Sequence, residues 1–513
     1  MANYINSKTS PNILFLFTDQ QRADTLSCYG NTEINTPNLD KFANSSFVFE
    51  NAYVSQPLCT PARSTILSGT YPHTNGCTTN NIPLDTSIPT IAELVDSKYH
   101  RAYFGKWNLG DEVIPQHGFT HRISIDDGYR AWYSNKKYLD QISGHTNFLK
   151  NLGYTPDEER FGAKVYSRQM SCNLPIEHTK ASFMAKEINN FLDTNKHNPF
   201  ILYAGFFEPH PPYSGPLNKV YNPEILKTPP HFLKKPDANT SYINQITAEY
   251  YSSLEEYDGS PISKKEDWKQ LRANYYGNVS LIDQAIGNIL DHLKEIGIAD
   301  NTIVVYTSEH GEHLGDHSTL EKGLLYEESI KVPLIIHVPW LEKQPSTIKG
   351  YVSHIDIVPT LLDLIGTSPL PSNLQGKSIV NQLIGNKTLE DNYVFIENDN
   401  SLQWKIPFFN EFAQKLLLSE KMNDLSKTQL ETMKSLPWRS IISPEGLKLN
   451  LHAIDHCELY DLKNDPFEQI NLYNHPNYQK IIKVLATKIY NWQIETNDDS
   501  KIIPKNLLSE ITW

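Results

Sequence analysis

Five short apolar runs constrain most strongly how this chain can fold: Ile13–Phe17, Ala102–Phe104, Phe200–Phe206, Thr302–Tyr306 and Pro333–Val338. Each is rich in β-branched or aromatic residues and bounded by polar, Gly or Pro residues, the pattern of a buried strand. Amphipathic stretches alternate with them. The longest, Trp268–Ile296, carries Leu271, Tyr275, Val279, Ile282, Ile286, Ile289 and Leu293 three or four apart, which is one apolar stripe of a helix. Thr90–Ser97, Lys180–Leu192 and Ile355–Leu364 predict further helices. The alternation predicts an α/β domain with a large mixed, mainly parallel sheet flanked by helices.

Two segments interrupt it. Residues 126–178 are polar and aromatic, with Tyr129, Trp132 and Tyr133 able to stack on a ring, and residues 211–267 are rich in Pro, Asn and Tyr. Both read as inserted loops that shape a site on a rigid body. After about residue 390 the texture changes. Trp438–Ile442, Leu447–His452 and Glu458–Tyr460 read as short antiparallel strands, followed by a helix near Gln479–Trp492. The expected organisation is a large α/β domain over 1–390 and a small α+β domain over 391–513.

Four of the predicted strands end in polar residues. Asp19 and Gln20 follow the first, Lys106 and Asn108 the second, Glu208 and His210 the third, and Glu309 and His310 the fourth. Ligands of open parallel sheets bind outside the carboxyl ends of the strands, so these residues are expected to meet in one crevice. Cys59-Thr60-Pro61-Ala62-Arg63 joins them. Thr60 suits a helix N-cap, Pro61 the first turn and Gly69 the stop, which sets Cys59 beside a helix N-terminus that stabilises an anion.

Charge and cysteine content narrow the function. A net charge of −13 repels a phosphate backbone and argues against nucleic-acid binding. A small anionic substrate stays open, because one pocket can be locally basic. The five cysteines lie far apart with no CxxC pair, which argues against a disulfide scaffold or a zinc ribbon. No run approaches the length of a membrane span, and the polar start of the chain does not read as an export signal, so a cytoplasmic location is expected. His313 and His317 stand four apart, as in helical zinc proteases. Leu314 occupies the place of the required glutamate, and Gly315 disfavours a helix, so both histidines read as polar loop residues near the site.

The stretch Cys59-Thr60-Pro61-Ala62-Arg63 with Gly69 resembles the Cys-x-Pro-x-Arg signature of the type I, formylglycine-dependent sulfatases of the alkaline-phosphatase-like superfamily. Asp19, Thr36-Pro37-Asn38-Leu39-Asp40, Gly105-Lys106-Trp107, the histidine His210, Lys322-Gly323, Ser353-His354-Ile355-Asp356 and Leu459-Tyr460-Asp461 are similar to that family's further landmarks along most of the chain. The resemblance implies that Cys59 is converted to formylglycine by a formylglycine-generating or maturase enzyme. The hydrated aldehyde then offers one hydroxyl to attack sulfur and a second to expel sulfate. It implies a Ca²⁺ or Mg²⁺ ion held by Asp19, Gln20, Glu309 and His310. Arg63, Lys106 and Lys322 would bind the hydrate and sulfate oxygens, and His210 would protonate the leaving group or bind sulfate. The implied substrate is a small, carbohydrate or aryl sulfate ester.

Two departures matter. Asn108 stands where the family has a histidine, and an amide cannot serve as acid or base near neutral pH. Glu309 replaces the family's aspartate, and its extra methylene moves the carboxylate by about 1.5 Å. Phosphonate monoester or phosphodiester hydrolysis within the same superfamily is an alternative. A catalytically degraded sulfate- or glycan-binding homologue is another.

Overall fold

The computed structural model describes residues 10–341, 344–399, 412, 425–504 and 507. The start of the chain, on which the absence of an export signal was read, lies largely outside these residues. In chain order the strands are β1 (Asn12–Asp19), β2 (Phe47–Tyr53), β3 (His100–Gly105), β4 (His121–Ile123), β5 (Glu158–Arg160), β6 (Ala163–Val165), β7 (Phe200–Pro209), β8 (Glu256–Tyr257) and β9 (Ser260–Pro261). They continue as β10 (Thr302–Ser308), β11 (Lys331–Val332), β12 (Leu334–His337), β13 (Ser346–Ser353), β14 (Val394–Asn398), β15 (Trp438–Ile442), β16 (Leu447–Leu451) and β17 (Glu458–Asp461).

Nine of them form one sheet in the order β11-β2-β12-β10-β1-β7-β3-β4, with β13 beside β2. The pairs β10/β1, β1/β7, β7/β3, β3/β4 and β2/β13 are parallel, whereas β12 runs antiparallel to β10 and β2. Every residue of β1, β7 and β10 is buried, as their unbroken apolar runs require. The helices Lys180–Asn195 and Lys265–Glu295 cover one face together with Leu14, Leu16, Leu202 and Ala204. The other face joins Ile13, Phe15 and Tyr203 to the helix Ile357–Leu364.

The sequence misplaces some local detail. The segment 90–97 holds only the single turn Ile91–Leu94, capped by Thr90 and Glu93, after which Val95 is extended. The two inserted segments are not all loop: the first contains the helix Gly144–Asn151 and the hairpin β5–β6, and the second the helix Tyr242–Ser252. In the C-terminal region β14, β15, β16 and β17 form an antiparallel sheet under the helix Gln479–Thr496. One face of that sheet contributes Val394, Ile396, Trp438 and Ile442 to the core of the large sheet. Its other face forms its own core around Leu449, Leu459, Leu485 and Ile489.

Candidate active site

The ends of β1, β3, β7 and β10 are neighbours in the sheet, so the residues that follow them converge. Glu309 N–H donates to Thr18 O at 3.0 Å, and Ser308 Oγ lies 2.8 Å from Gln21 N, which locks the β1 and β10 ends together. Gly105 and Gly205 face each other in register, and Gly105 sits at φ +100°. A Cβ on Gly105 would lie 1.9 Å from Gly205 O, and one on Gly205 only 3.0 Å from Arg63 Nη1. Two adjacent glycines thus make room for a guanidinium at the floor of the crevice.

The helix Cys59–Ser68 enters this crevice by its N-terminus. Cys59 is its first residue and Leu58 its N-cap, two positions earlier than the Thr60 cap read from sequence. Thr60 does not cap. Its hydroxyl donates to Asn108 O at 2.7 Å, and its N–H is taken by Asn80 Oδ1 at 2.9 Å. The stop at Gly69 is as expected, with φ +66°.

Around Cys59 the structure gathers the residues singled out in sequence. Cys59 Sγ lies 3.3 Å from His310 Nε2 and 4.0 Å from Asp19 Oδ1. Lys106 Nζ donates to Asp19 Oδ2, and burial, which works against its charge, is overridden by Asp19, so its pKa lies well above the usual range. Arg63, one turn into the helix, is fully buried and pairs with Asp19 Oδ2 at 3.3 Å and with Glu309. It also donates to Tyr103 OH at 3.2 Å and to Lys106 O. Burial opposes the Arg63 charge, but Glu309, Tyr103 and Asp19 prevail and raise its pKa.

Lys322 Nζ donates to Gln20 Oε1 at 2.5 Å and lies 3.4 Å from His210 Nε2. His210 Nδ1 is 2.8 Å from Pro211 O, which only accepts, so the proton is on Nδ1 and Nε2 is an acceptor facing Lys322. Burial depresses the His210 pKa, and Lys322 adds to that against the opposing pull of Asp19. Gln20, at φ +71°, is held by Tyr275 OH on its carbonyl at 2.6 Å and by Tyr213 OH and Glu312 on its amide nitrogen. Asn108, at φ +57°, directs its Nδ2 to Asn81 at 3.3 Å and leaves Oδ1 buried without a partner.

Asp19, Cys59, Glu309 and His310 each offer a ligand atom within 4.8 Å of the others. Glu309 is fully buried, yet neither carboxylate oxygen accepts an aligned hydrogen bond, although Arg63 and His310 (3.2 Å) lie close. A buried charge left so is costly. The two unpartnered Glu309 oxygens, beside the Asp19 carboxylate that Arg63 and Lys106 hold, fit a hard divalent cation, and the longer Glu309 side chain still reaches the cluster.

Sequence reasoning named Tyr129 as a ring able to stack but missed Arg168 and Glu312. The Tyr129 ring lies 5.3 Å from Lys106 Nζ, and Arg168 lies over both Tyr129 and Phe207 while pairing with Asp126 at 2.8 Å. The segment 126–178 therefore does line the site, through Tyr129 rather than Trp132, which is 48% exposed. Glu312 holds Gln20 and Tyr213, and its place two residues after His310 was the available signal. Among residues 313–319 there is no helix, so the zinc-protease geometry is absent. All five cysteines are free thiols. No helix among the described residues is long and apolar enough to cross a membrane.

The sequence and fold are similar to those of known proteins. The Sulfatase family profile matches residues 11–367. The chain is 27% identical over 515 residues to an N-acetylglucosamine-6-O-sulfatase of Bacteroides thetaiotaomicron, covering 95% of this chain and 87% of that one. It is 25% identical over 519 residues, and 96% of each chain, to the multifunctional alkaline phosphatase superfamily protein PehA of Trinickia caryophylli. The solved structure of a phosphonate monoester hydrolase from Silicibacter pomeroyi superposes with a TM-score of 0.75 at 23% identity, over 95% of this chain and 96% of that one, a likeness of fold. With the profile spanning most of its length, the chain belongs to the Sulfatase family.

Proposed function

We propose that this enzyme hydrolyses a sulfate monoester carried by a carbohydrate or an aryl group, with Cys59 as the precursor of a formylglycine nucleophile. The observation that carries the reading is the buried cluster of Arg63, Lys106 and Lys322 around a cysteine at a helix N-terminus. Sulfate monoesters resist attack because their anionic oxygens repel nucleophiles, so neutralising those oxygens is the first requirement. Three buried cations stand in the pocket, next to Asp19, Glu309 and Glu321, although the chain as a whole is negative.

Converted to formylglycine, Cys59 would supply a hydroxyl nucleophile. Asp19, Glu309 and His310, with Gln20 beside them, would hold Ca²⁺ or Mg²⁺, whose positive charge would favour the ionised hydroxyl. Lys106 orients Asp19 and stands ready to bind a sulfate oxygen. Lys322 is a fixed charge: burial disfavours its ammonium, but Cys59, Glu321 and Asp19 hold it protonated. His210, neutral and accepting from Lys322, aims that charge rather than carrying a proton at Nε2. Tyr129 walls the pocket and limits water. A carbohydrate carrier is supported by the sulfatase relative that acts on N-acetylglucosamine. Conversion of Cys59 requires a maturase partner, and the division into catalytic (1–390) and C-terminal (391–513) domains is part of the same reading.

The test combines mass and rate. Conversion lowers the mass of the Cys59 peptide by about 18 Da, one sulfur and its hydrogens traded for oxygen. Purified enzyme is assayed on an aryl sulfate, an aryl phosphodiester and an aryl phosphonate monoester, beside Cys59→Ala. Aryl sulfate turnover abolished in the variant supports the reading. Equal activity in both proteins refutes the nucleophile, and a faster rate on the phosphorus esters refutes the sulfate preference.

A further inference from the structure

Outside the catalytic cluster, three buried polar residues meet at one point. His231 comes from the loop ahead of the helix Tyr242–Ser252, His317 from the loop after β10, and Glu328 from the single turn Glu327–Ile330. His231 Nε2 lies 2.8 Å from Glu328 Oε1, and His317 Nε2 lies 3.7 Å from Glu328 Oε2. One ligand atom from each falls within 4.8 Å of the other two. His317 Nε2 and Glu328 Oε2 are buried without a hydrogen-bond partner, and His317 is only 3% exposed. The two atoms face one another without a hydrogen bond, and a cation between them would satisfy the Glu328 oxygen, which only accepts.

We propose that His231, His317 and Glu328 bind a divalent cation of the zinc class, at a second site independent of the catalytic reading. Ligands about 2.0–2.1 Å from a tetrahedral ion stand about 3.3 Å from each other. The two contacts, 2.8 and 3.7 Å, straddle that value. Two imidazoles and one carboxylate select a borderline transition ion over Ca²⁺ or Mg²⁺, which take oxygen.

The positive groups nearby are already committed. Arg22 and Arg272 reach Asp316 at 2.7 and 3.2 Å, which neutralises that carboxylate and leaves Glu328 to the ion. Asp316 stands 3.6 Å from His231 Nε2, so its carboxylate adds negative charge beside the ion. A cavity of about 960 Å³, lined by His231, Glu328, Arg22, Arg272, Glu327 and Phe467, gives an entry path and room for solvent at a fourth position.

The ion would fasten the loop that carries the catalytic residues. His317 N–H donates to His231 O at 3.0 Å, and Leu233 N–H to Gly315 O at 2.8 Å. Gly311 and Glu312, immediately after His310, donate their N–H groups to Ser329 O and Glu328 O at 2.8 Å. A cation joining three segments at this place is structural: it stiffens the support of the first site.

The test uses the full-length protein stripped with chelator, then equilibrated with Zn²⁺ in saturating Ca²⁺ and desalted. The wild type is expected to retain one further zinc per chain and to gain thermal midpoint. Zinc-edge X-ray absorption should show two imidazole nitrogens, oxygen and no sulfur. His317→Ala and Glu328→Gln should each weaken retention by about tenfold or more. A wild type that retains no zinc overturns the proposal. So does a shell containing sulfur, which would place the zinc at Cys59, or full retention in both variants. The wild-type spectrum decides the matter even if a variant fails to fold.

Discussion

Replacing Arg63 by lysine keeps the charge and removes the fork, which isolates what the guanidinium geometry does. Arg63 is fully buried and serves four partners in different directions: Asp19, Glu309, Tyr103 OH and Lys106 O. A single ammonium on a shorter stem can serve the carboxylates or the phenol and carbonyl, not both. Two charge-assisted hydrogen bonds are lost, at about 1.5–3 kcal/mol each, so the chelator-treated variant should be destabilised by about 3–6 kcal/mol. Urea unfolding followed by tryptophan fluorescence measures it. Repeating the titration in saturating Ca²⁺ adds a second reading, because a cation among Asp19, Glu309 and His310 supplies charge where the guanidinium was. The penalty should then shrink by at least about 1 kcal/mol. A variant within about 1 kcal/mol of wild type without metal refutes the claim that this fork organises the carboxylates. An unchanged penalty with Ca²⁺ refutes the assignment of those carboxylates to the metal.

Further outcomes follow from other parts of the molecule. Chelation should abolish aryl sulfate turnover and Ca²⁺ or Mg²⁺ should restore it; activity unaffected by exhaustive chelation counts against a metal at Asp19 and Glu309. Gly105→Ala would bring a Cβ within 1.9 Å of Gly205 O at the end of the β3/β7 pair, so little folded protein is expected, and a soluble variant with native circular dichroism contradicts this. His452 is buried by the C-terminal sheet and its pKa drops to about 4 from burial, offset in part by hydrogen bonds to Leu436 O and Met433 O. A depressed histidine pKa contributes stability that is present above the unfolded value of about 6.5 and is lost as pH falls through about 4, amounting to at most about 3 kcal/mol. His452→Gln should flatten the stability profile between those pH values, and a profile identical to wild type removes His452 as the cause.

The residues of the site were legible because they follow strands whose sequences admit one interpretation. β1, β7 and β10 are buried on both faces, so their apolar runs are continuous and their ends are marked by the first charged or amide residue. β2 and β13 were not visible. Phe47–Tyr53 and Ser346–Ser353 mix buried with half-buried or exposed positions and owe their conformation to pairing across almost 300 residues. Local sequence carries no record of such a partner. The N-cap error at Thr60 has a similar origin. Its hydroxyl is claimed by Asn108 O, a contact that exists only once β3 lies alongside the helix. Arg168 was hidden, and Tyr129 could not be told from Trp132, because a polar, aromatic insertion looks the same whether it decorates a surface or closes a pocket.

The small C-terminal sheet reaches the catalytic loop directly. Lys448 from β16 is buried and donates to Leu325 O at 2.6 Å, while Asn398 from β14 donates to Gly323 O at 2.7 Å, both within the three residues that follow Lys322. Because a ribosome delivers the chain from its N-terminus, Cys59 emerges hundreds of residues before the strands that brace Lys322. Once folding is complete that cysteine is 2% exposed and sealed among charges. On the proposed formylglycine reading, the last quarter of the protein would act as a clock: it would set how long the nascent cysteine stays within reach of a modifying enzyme, and a chain that closed early would be well folded yet without its nucleophile.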